Sequence, residues 1–493
     1  MNASDFQPLA IDFIVAAGIL LVLIADLVLP ARAGRIIGWL SAAVLAGALA
    51  ATFQLDTSGS AFSGAYAGGP WTLYFKRTFL AAGLLAVLGS IRHVARHQTY
   101  RQGEYYLLVL FSLLGMTLLP GARDLILLIV AFELMGIPLF VLAAYAKRDD
   151  PEGPERFAPE AGLKLYLVGV ASAAITLYGL SLVYGATGAT AVDAIARAPA
   201  SPLLTLGMLL VLAGMGFKIG AVPFHFWVPD TYQGSSTPFV AFLSVAPKIA
   251  GLSALTTLFY HAFPALRDEW QPLVAAVAFV SMVVGNVLAL VQNNAKRLLA
   301  FSGVAHMGYM LLAFVTSSVQ GASMLLFYAA AYVLTNIGAF QVVEEIEEQT
   351  GDTSLAAFDG LYRRSPTLAF AMLLFLLSLA GIPFVVGFWA KLYVFVAAWQ
   401  AGYHWLVAVG AVLAVVGLFY YLQIARAMYM KPPTNTVPFR SDSGLTLAVG
   451  LCLAGVVALG AFPAPLLSSA ERAAAPFFAH ATALERTAQI VPR

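Results

Sequence analysis

PLLTLGMLLVLAGMGFKIGAVPFHFW, residues 202–227, decides how the rest of the chain is read. Its first sixteen residues bear no charge; Lys218 then stands inside the apolar run, and Pro223 follows shortly after. Such a run suits a helix crossing the roughly 30 Å hydrocarbon of a bilayer at about 1.5 Å per residue. Both later residues are out of place in a plain membrane helix. A charge at the bilayer centre costs about 2.5–3.5 kcal/mol even on lenient scales, and proline removes a backbone donor and clashes with the preceding turn. The stretch therefore predicts a membrane helix interrupted at mid-depth beside a buried cation.

Composition extends this reading to the whole chain. Of 493 residues, 60% are hydrophobic and 11% charged, against about 45–50% and about 25% in soluble proteins; mean hydropathy is +0.84. An all-α integral membrane protein is expected. Fourteen spans are predicted, near 10–30, 36–53, 72–91, 104–120, 124–146, 162–185, 202–222, 240–262, 271–292, 298–316, 321–343, 367–397, 403–429 and 444–466. Continuous apolarity disfavours a transmembrane barrel, whose strands alternate. The first span lacks a basic start and a small-residue cleavage site, so it reads as a retained helix. With 27 basic and 25 acidic residues, no global field attracts nucleic acid. The single cysteine, Cys452, excludes an intrachain disulfide or a cysteine-held cluster. No phosphate-binding glycine motif is present, and no nucleotide site is predicted.

Basic residues sort by connector. Sixteen follow odd-numbered spans, including the adjacent pairs Lys147/Arg148, Lys296/Arg297 and Arg363/Arg364; eight, Lys76 among them, lie in even connectors and the tail. The positive-inside rule then places both termini outside. The connector Lys147–Pro159 reads as a solvated loop. A second connector, Glu344–Arg364, holds EEIEEQTGD, read as a solvated helix end and not a metal site, because no histidine accompanies it in the sequence.

The informative charges lie inside the spans: Glu133, Lys218, Lys248 and Lys391. One carboxylate against three lysines leaves an excess of buried positive charge, and a lysine, unlike an arginine, can give up its proton. These four are candidate proton-relay groups. Pro223 and Pro383 are candidate helix breaks, and Pro247 stands directly before Lys248. Spacing hints at an internal repeat: the interval from Glu133 to Lys218 equals that from His306 to Lys391, and the shift that joins these two pairs also carries Lys248 onto Tyr421. His306 and Tyr421 join the candidates on that basis. Five spans separate the paired elements, so the copies would be inverted, as in many transporters.

Five runs in order, FELMGIPLFVLAAYAKRD (132–149), PEAGLKLYLVGVASAAITLYGLSLVYGATG (159–188), FKIGAVPFHFWVPDTYQGSSTPFVAFLSVAPKIAG (217–251), NVLALVQNNAKRLLAFSGVAHMGYMLLAF (286–314) and LSLAGIPFVVGFWAKLYVF (377–395), resemble the antiporter-like membrane subunits of proton-pumping NADH:quinone oxidoreductase, respiratory complex I. PDTYQGSSTP (229–238) points to the N type among them, the counterpart of mitochondrial subunit 2. The resemblance implies three leading helices (1–100), a first inverted repeat of helices 4–8 (101–263), a second of helices 9–13 (270–430), and helix 14 with a short tail (440–493). It also implies broken helices 7 and 12 and a hydrated mid-membrane path. By motif, Glu133 corresponds to the acidic residue of helix 5, and Lys218, Lys248 and Lys391 to the lysines of helices 7, 8 and 12; His306 and Tyr421 match positions less firmly tied to proton transfer. Pro247, and GFWAK where the family often reads GFxGK, depart from the pattern. NADH, FMN, iron–sulfur clusters and quinone are expected on partner subunits, with no cofactor, metal or redox chemistry on this chain. The implied partners are M-, K-, J- and A-type membrane subunits and the lipid bilayer, in a bacterial inner membrane.

Two other readings share these residues. A subunit of a multi-subunit sodium/proton antiporter has the same fold and charged positions. A passive scaffold would use the charges only to specify helix packing, and then each lysine needs a carboxylate partner.

Overall fold

The computed structural model describes residues 3–30, 34–97, 102–145, 157–433 and 442–490. Most of the connector Lys147–Pro159, including Lys147, Arg148 and Arg156, lies outside them. Two helices, α1 (Ala10–Val28) and α2 (Gly34–Ala51), lead to an antiparallel hairpin of β1 (Gly59–Ala61) and β2 (Tyr66–Gly68) with Gly59 opposite Gly68. Then come α3 (Pro70–His97), α4 (Gly103–Leu118), α5 (Leu125–Ala143), α6 (Ala158–Thr187) and the single turn α7 (Val192–Ile195). The middle of the chain forms α8 (Pro202–Ile219), α9 (Trp227–Gly234), α10 (Thr237–Leu243), α11 (Ala246–His261), α12 (Arg267–Leu290), α13 (Ala295–Phe314) and α14 (Val319–Thr350). The remainder comprises α15 (Leu361–Arg364), α16 (Pro366–Ala380), α17 (Val386–Gln400), α18 (His404–Met430), α19 (Ser443–Ala461) and α20 (Ala464–Ile490).

Thirteen helices among the described residues are long and apolar enough to cross a membrane, each coinciding with one expected span. The twelfth expected span, 367–397, is divided into α16 and α17, so neither half reaches that length alone. Start signals are local: Asp124, Ser201, Asn294 and Ser318 each accept a hydrogen bond from a first-turn amide of α5, α8, α13 and α14, supplying one of the orphan donors of a helix start. The spans differ in position. The α10–α11 segment is wholly enclosed and α13 nearly so, whereas α6 and α18 are only 28% and 33% buried and present apolar side chains outward, as lipid-facing helices do. Small residues bring backbones together where side chains would separate them: a methyl group added at Gly207 of α8 would lie 2.8 Å from the Gly179 carbonyl of α6.

Three interruptions shape the interior. Helix α8 stops at Ile219 because Gly220 turns left-handed at φ 70°, and α16 stops at Ala380 because Gly381 does the same at φ 86°. A residue with a Cβ resists that conformation, so glycine ends each helix, and Pro223 and Pro383 lie in the segment beyond. The third interruption, Ser244–Val245, separates α10 from α11. Pro247 does not break a helix; it occupies the first turn of α11, where its missing N–H is not needed.

Two expectations are corrected. Lys76, assigned to a connector, is fully buried in α3 and ion-paired with Asp12 of α1, which is 5% exposed. Hydropathy windows place span ends only loosely, so they do not separate a connector charge from one folded inward. The acidic run from Glu344 is not a solvated end. Helix α14 continues to Thr350, Glu345 pairs with Arg92 at 3.1 Å, and Glu344 meets His93 at 3.0 Å, all four buried. Histidine does accompany the acids, supplied by α3 from a distant part of the sequence. Arg92, Arg96, Lys296 and Arg297 make the face that bears these ends a basic face.

Candidate functional site

The site is built on the three interruptions and the helices beside them. Lys218 is in the last turn of α8, directly before the Gly220 break. Its Nζ sits between the rings of Phe132 and Phe140, 5.7 and 5.4 Å from their centroids, a geometry in which a cation gains from the aromatic faces. It also lies beside Gly136, where an added methyl would come within 2.9 Å. Glu133 is one turn before Gly136 on α5, on the same helix side, and among the described residues it makes no ion pair with Lys218 within 4 Å.

Lys248 occupies the first turn of α11, across the same break. It is completely buried and its Nζ has no hydrogen-bond partner among the described residues; the ring of Tyr232 stands 5.2 Å away. Glycines make its room on two sides. A methyl at Gly220 would lie 3.7 Å from Nζ, and one at Gly303 of α13 only 3.1 Å from both Nζ and the Tyr332 hydroxyl. A cation at a helix start faces the positive end of the peptide dipoles. Lys218 and Lys391 are placed the other way, each beside the carbonyl end of a half-helix.

One turn along α13 from Gly303 is His306, 4% exposed. Its Nδ1 meets the hydroxyl of Tyr328 at 2.7 Å and its Nε2 that of Tyr421 at 3.2 Å. Tyr421 also contacts Ser302 Oγ at 2.5 Å, and the ring of Tyr332 lies 5.1 Å from the imidazole. A narrow gap of about 10 Å³, lined by His306, Thr335, Ser378 and Ala390, leads from this cluster toward α16 and α17; that is near the smallest space that admits a water. Beyond it, Lys391 donates from Nζ to the Ala380 carbonyl at 3.0 Å, one of the acceptors left open where α16 ends, and stands 5.0 Å from the Tyr309 ring.

The structure thus places Glu133 and Lys218 at one end, Lys248 in the middle, and His306, Tyr421 and Lys391 at the other. Sequence reading missed Tyr328, Tyr332 and Ser302, which join them. Tyrosine and serine are ordinary in apolar helices, and no spacing rule marks them. Among the described residues, neither Lys248 nor Lys391 has a carboxylate partner within 4 Å, and the Glu133–Lys218 pair is not closed. The packing-only reading requires such partners.

Residues 122–417, from the start of α5 into α18, match the family model described as NADH:quinone oxidoreductase/Mrp antiporter, TM. Across nearly the full chain, NADH-quinone oxidoreductase subunit N of Moorella thermoacetica is 40% identical, with 96% of this chain and 99% of that protein covered. The chain belongs to the N-subunit family. Subunit N of Trichlorobacter lovleyi, 38% identical over 96% of this chain and 97% of its own, agrees. Among solved structures, a chain of respiratory complex I from Thermus thermophilus matches with a TM-score of 0.78, 35% identity, and coverage of 93% of this chain and 98% of that one. A chain of the Mrp complex from Dietzia sp. matches with a TM-score of 0.87 at 21% identity, covering 98% and 99%, which shows a common fold. Within the stretch matched by the family model fall Glu133, Lys218, Lys248, His306 and Lys391; Tyr421 lies just past its end.

Proposed function

We propose that this chain moves protons across the membrane as the antiporter-like N subunit of an NADH:quinone oxidoreductase, through the row Glu133, Lys218, Lys248, His306 and Lys391, of which the last three are buried. The observation that supports this most is Lys248. A fully buried ammonium that meets no protein hydrogen-bond partner among the described residues is costly, and one set between the Lys218 break and the His306 cluster is placed to receive and pass on a proton. In one state Lys218 is protonated and held by the field of Glu133. When a neighbouring subunit alters that field, the proton leaves Lys218 through water for Lys248, and then passes by way of His306, with the hydroxyls of Tyr328 and Tyr421 orienting its ring, to Lys391. Moving one charge against 100 mV needs about 2.3 kcal/mol, the scale of making or losing one partly buried ion pair.

On this reading the driving energy is released elsewhere, at NADH, FMN, iron–sulfur and quinone sites on partner subunits, with M-, K-, J- and A-type chains as membrane neighbours. The clustering of Arg92, Arg96, Lys296, Arg297, Arg363 and Arg364 at the ends of odd-numbered crossings supports a basic face turned to the cytoplasm of a bacterial inner membrane and both termini outside. The matching left-handed glycines Gly220 and Gly381, one at each broken helix, support inverted repeats over helices 4–8 and 9–13. In the assembled complex, Lys218→Ala is expected to reduce proton pumping while leaving NADH oxidation by an artificial acceptor intact; unchanged pumping sinks the assignment. Sodium-dependent antiport by this chain without a dehydrogenase would favour the Mrp-type reading instead.

A further inference from the structure

We propose that His93, His97 and Glu348, at the basic face and outside the row described above, form a binding site for a divalent transition-metal ion of the Zn²⁺ class. The two histidines are one turn apart on α3, so both imidazoles project from one side of the helix, with ring centroids 4.6 Å apart. Glu348 enters from α14, its Oε2 3.0 Å from Nε2 of His97. One ligand atom from each of the three lies within 4.8 Å of the others. Zinc bonds of about 2.0–2.1 Å to nitrogen and oxygen set a tetrahedral edge of roughly 3.3 Å, so modest side-chain rotation closes the set, with a water as fourth ligand.

Two further features fit a metal better than a plain ion pair. Glu344 Oε1 is 3.0 Å from Nδ1 of His93, the carboxylate–imidazole contact that orients a ligating histidine. The local charge is also right. Glu344, Glu345, Glu347 and Glu348 of α14 face Arg92, Arg96 and Lys296, a formal excess of one negative charge with both imidazoles neutral. Imidazole nitrogens select Zn²⁺-like ions over Mg²⁺ or Ca²⁺, which prefer oxygen alone. Arg96 opposes binding: its Nη1 is 2.5 Å from Oε1 of Glu348, but its side chain is half exposed and free to swing away, whereas Arg92 is buried against Glu345. On loading, the ion takes the place of the hydrogen shared by His97 and Glu348, and Oε1 remains with Arg96 or water.

The proposal does not rest on the proton-transfer reading. The test is Zn²⁺ titrated into the purified, assembled complex, with bound zinc per complex measured by elemental analysis after desalting. Wild type is expected to hold one Zn²⁺ more than the His93→Gln/His97→Gln variant, and Glu344→Gln to bind it about 10–100-fold more weakly. Arg96→Ala keeps every ligand and removes the competing cation, so it is expected to bind more tightly than wild type. Equal zinc in wild type and the double-histidine variant overturns the site. Should the double variant fail to assemble, unchanged or weaker binding by Arg96→Ala overturns it equally.

Discussion

Nε2 of His306 lies 3.2 Å from the hydroxyl of Tyr421, far along the chain on another helix. That contact ties α13 to α18, and with Ser302 it holds the imidazole between the enclosed Lys248 and the narrow gap lined by Thr335, Ser378 and Ala390.

Tyr421→Phe removes this hydroxyl while keeping the ring that packs against Tyr420 at 4.4 Å between centroids. A buried hydrogen bond contributes about 0.5–1.5 kcal/mol net, so pumping by the assembled complex is expected to fall by no more than about ten-fold, with assembly unchanged. Proton uptake in proteoliposomes checks this; a complete loss would mean that the hydroxyl itself is an obligatory proton carrier.

Lys248→Met is expected to leave thermal stability unchanged or raised, because it replaces an unpartnered buried ammonium with an apolar chain of similar length. Proton pumping is expected to be lost at the same time. Thermal unfolding of the purified complex and a pumping assay are the two readouts, and a marked fall in unfolding temperature would assign Lys248 a packing role.

Gly303→Ala tests the space around Lys248. The new methyl meets Nζ and the Tyr332 hydroxyl at 3.1 Å, tighter than ordinary contact, and the flexible lysine end gives way first. Pumping is expected to drop several-fold with little change in stability, since alanine suits a helix interior better than glycine. Wild-type pumping would show that the position of the Lys248 ammonium is not limiting.

Lys76→Met isolates the buried pair near the starts of α1 and α3. It leaves Asp12 charged and enclosed, which costs about 3–5 kcal/mol, so a sharp loss of assembled complex is expected on native gels. Adding Asp12→Leu removes the stranded charge and is expected to restore most of it. No recovery in the double variant would show that Asp12 has work beyond pairing with Lys76.

The stretch 202–227 shows how far the chain alone was readable. Its apolar length and the misplaced Lys218 were enough to announce an interrupted membrane helix, because the bilayer imposes its cost residue by residue. The same rule located Lys248, Lys391 and Glu133, and the equal spacing of Glu133–Lys218 and His306–Lys391 pointed to His306 and, through the same shift, to Tyr421. Where α8 ends was less legible: Pro223 was the visible signal, yet the left-handed Gly220 stops the helix, and many of the 42 glycines look alike in sequence.

Sequence by itself therefore determined the membrane class, the order of the crossings and the rare charges within them, since hydropathy and charge cost act locally along the chain. Tertiary structure alone decided which groups meet. Tyr328, Tyr332 and Ser302 join the His306 cluster, Asp12 finds Lys76, and Glu344 and Glu348 find His93 and His97 of α3 only when helices pack, because a contact between distant helices depends on their rotation and depth and leaves no periodic trace in either one.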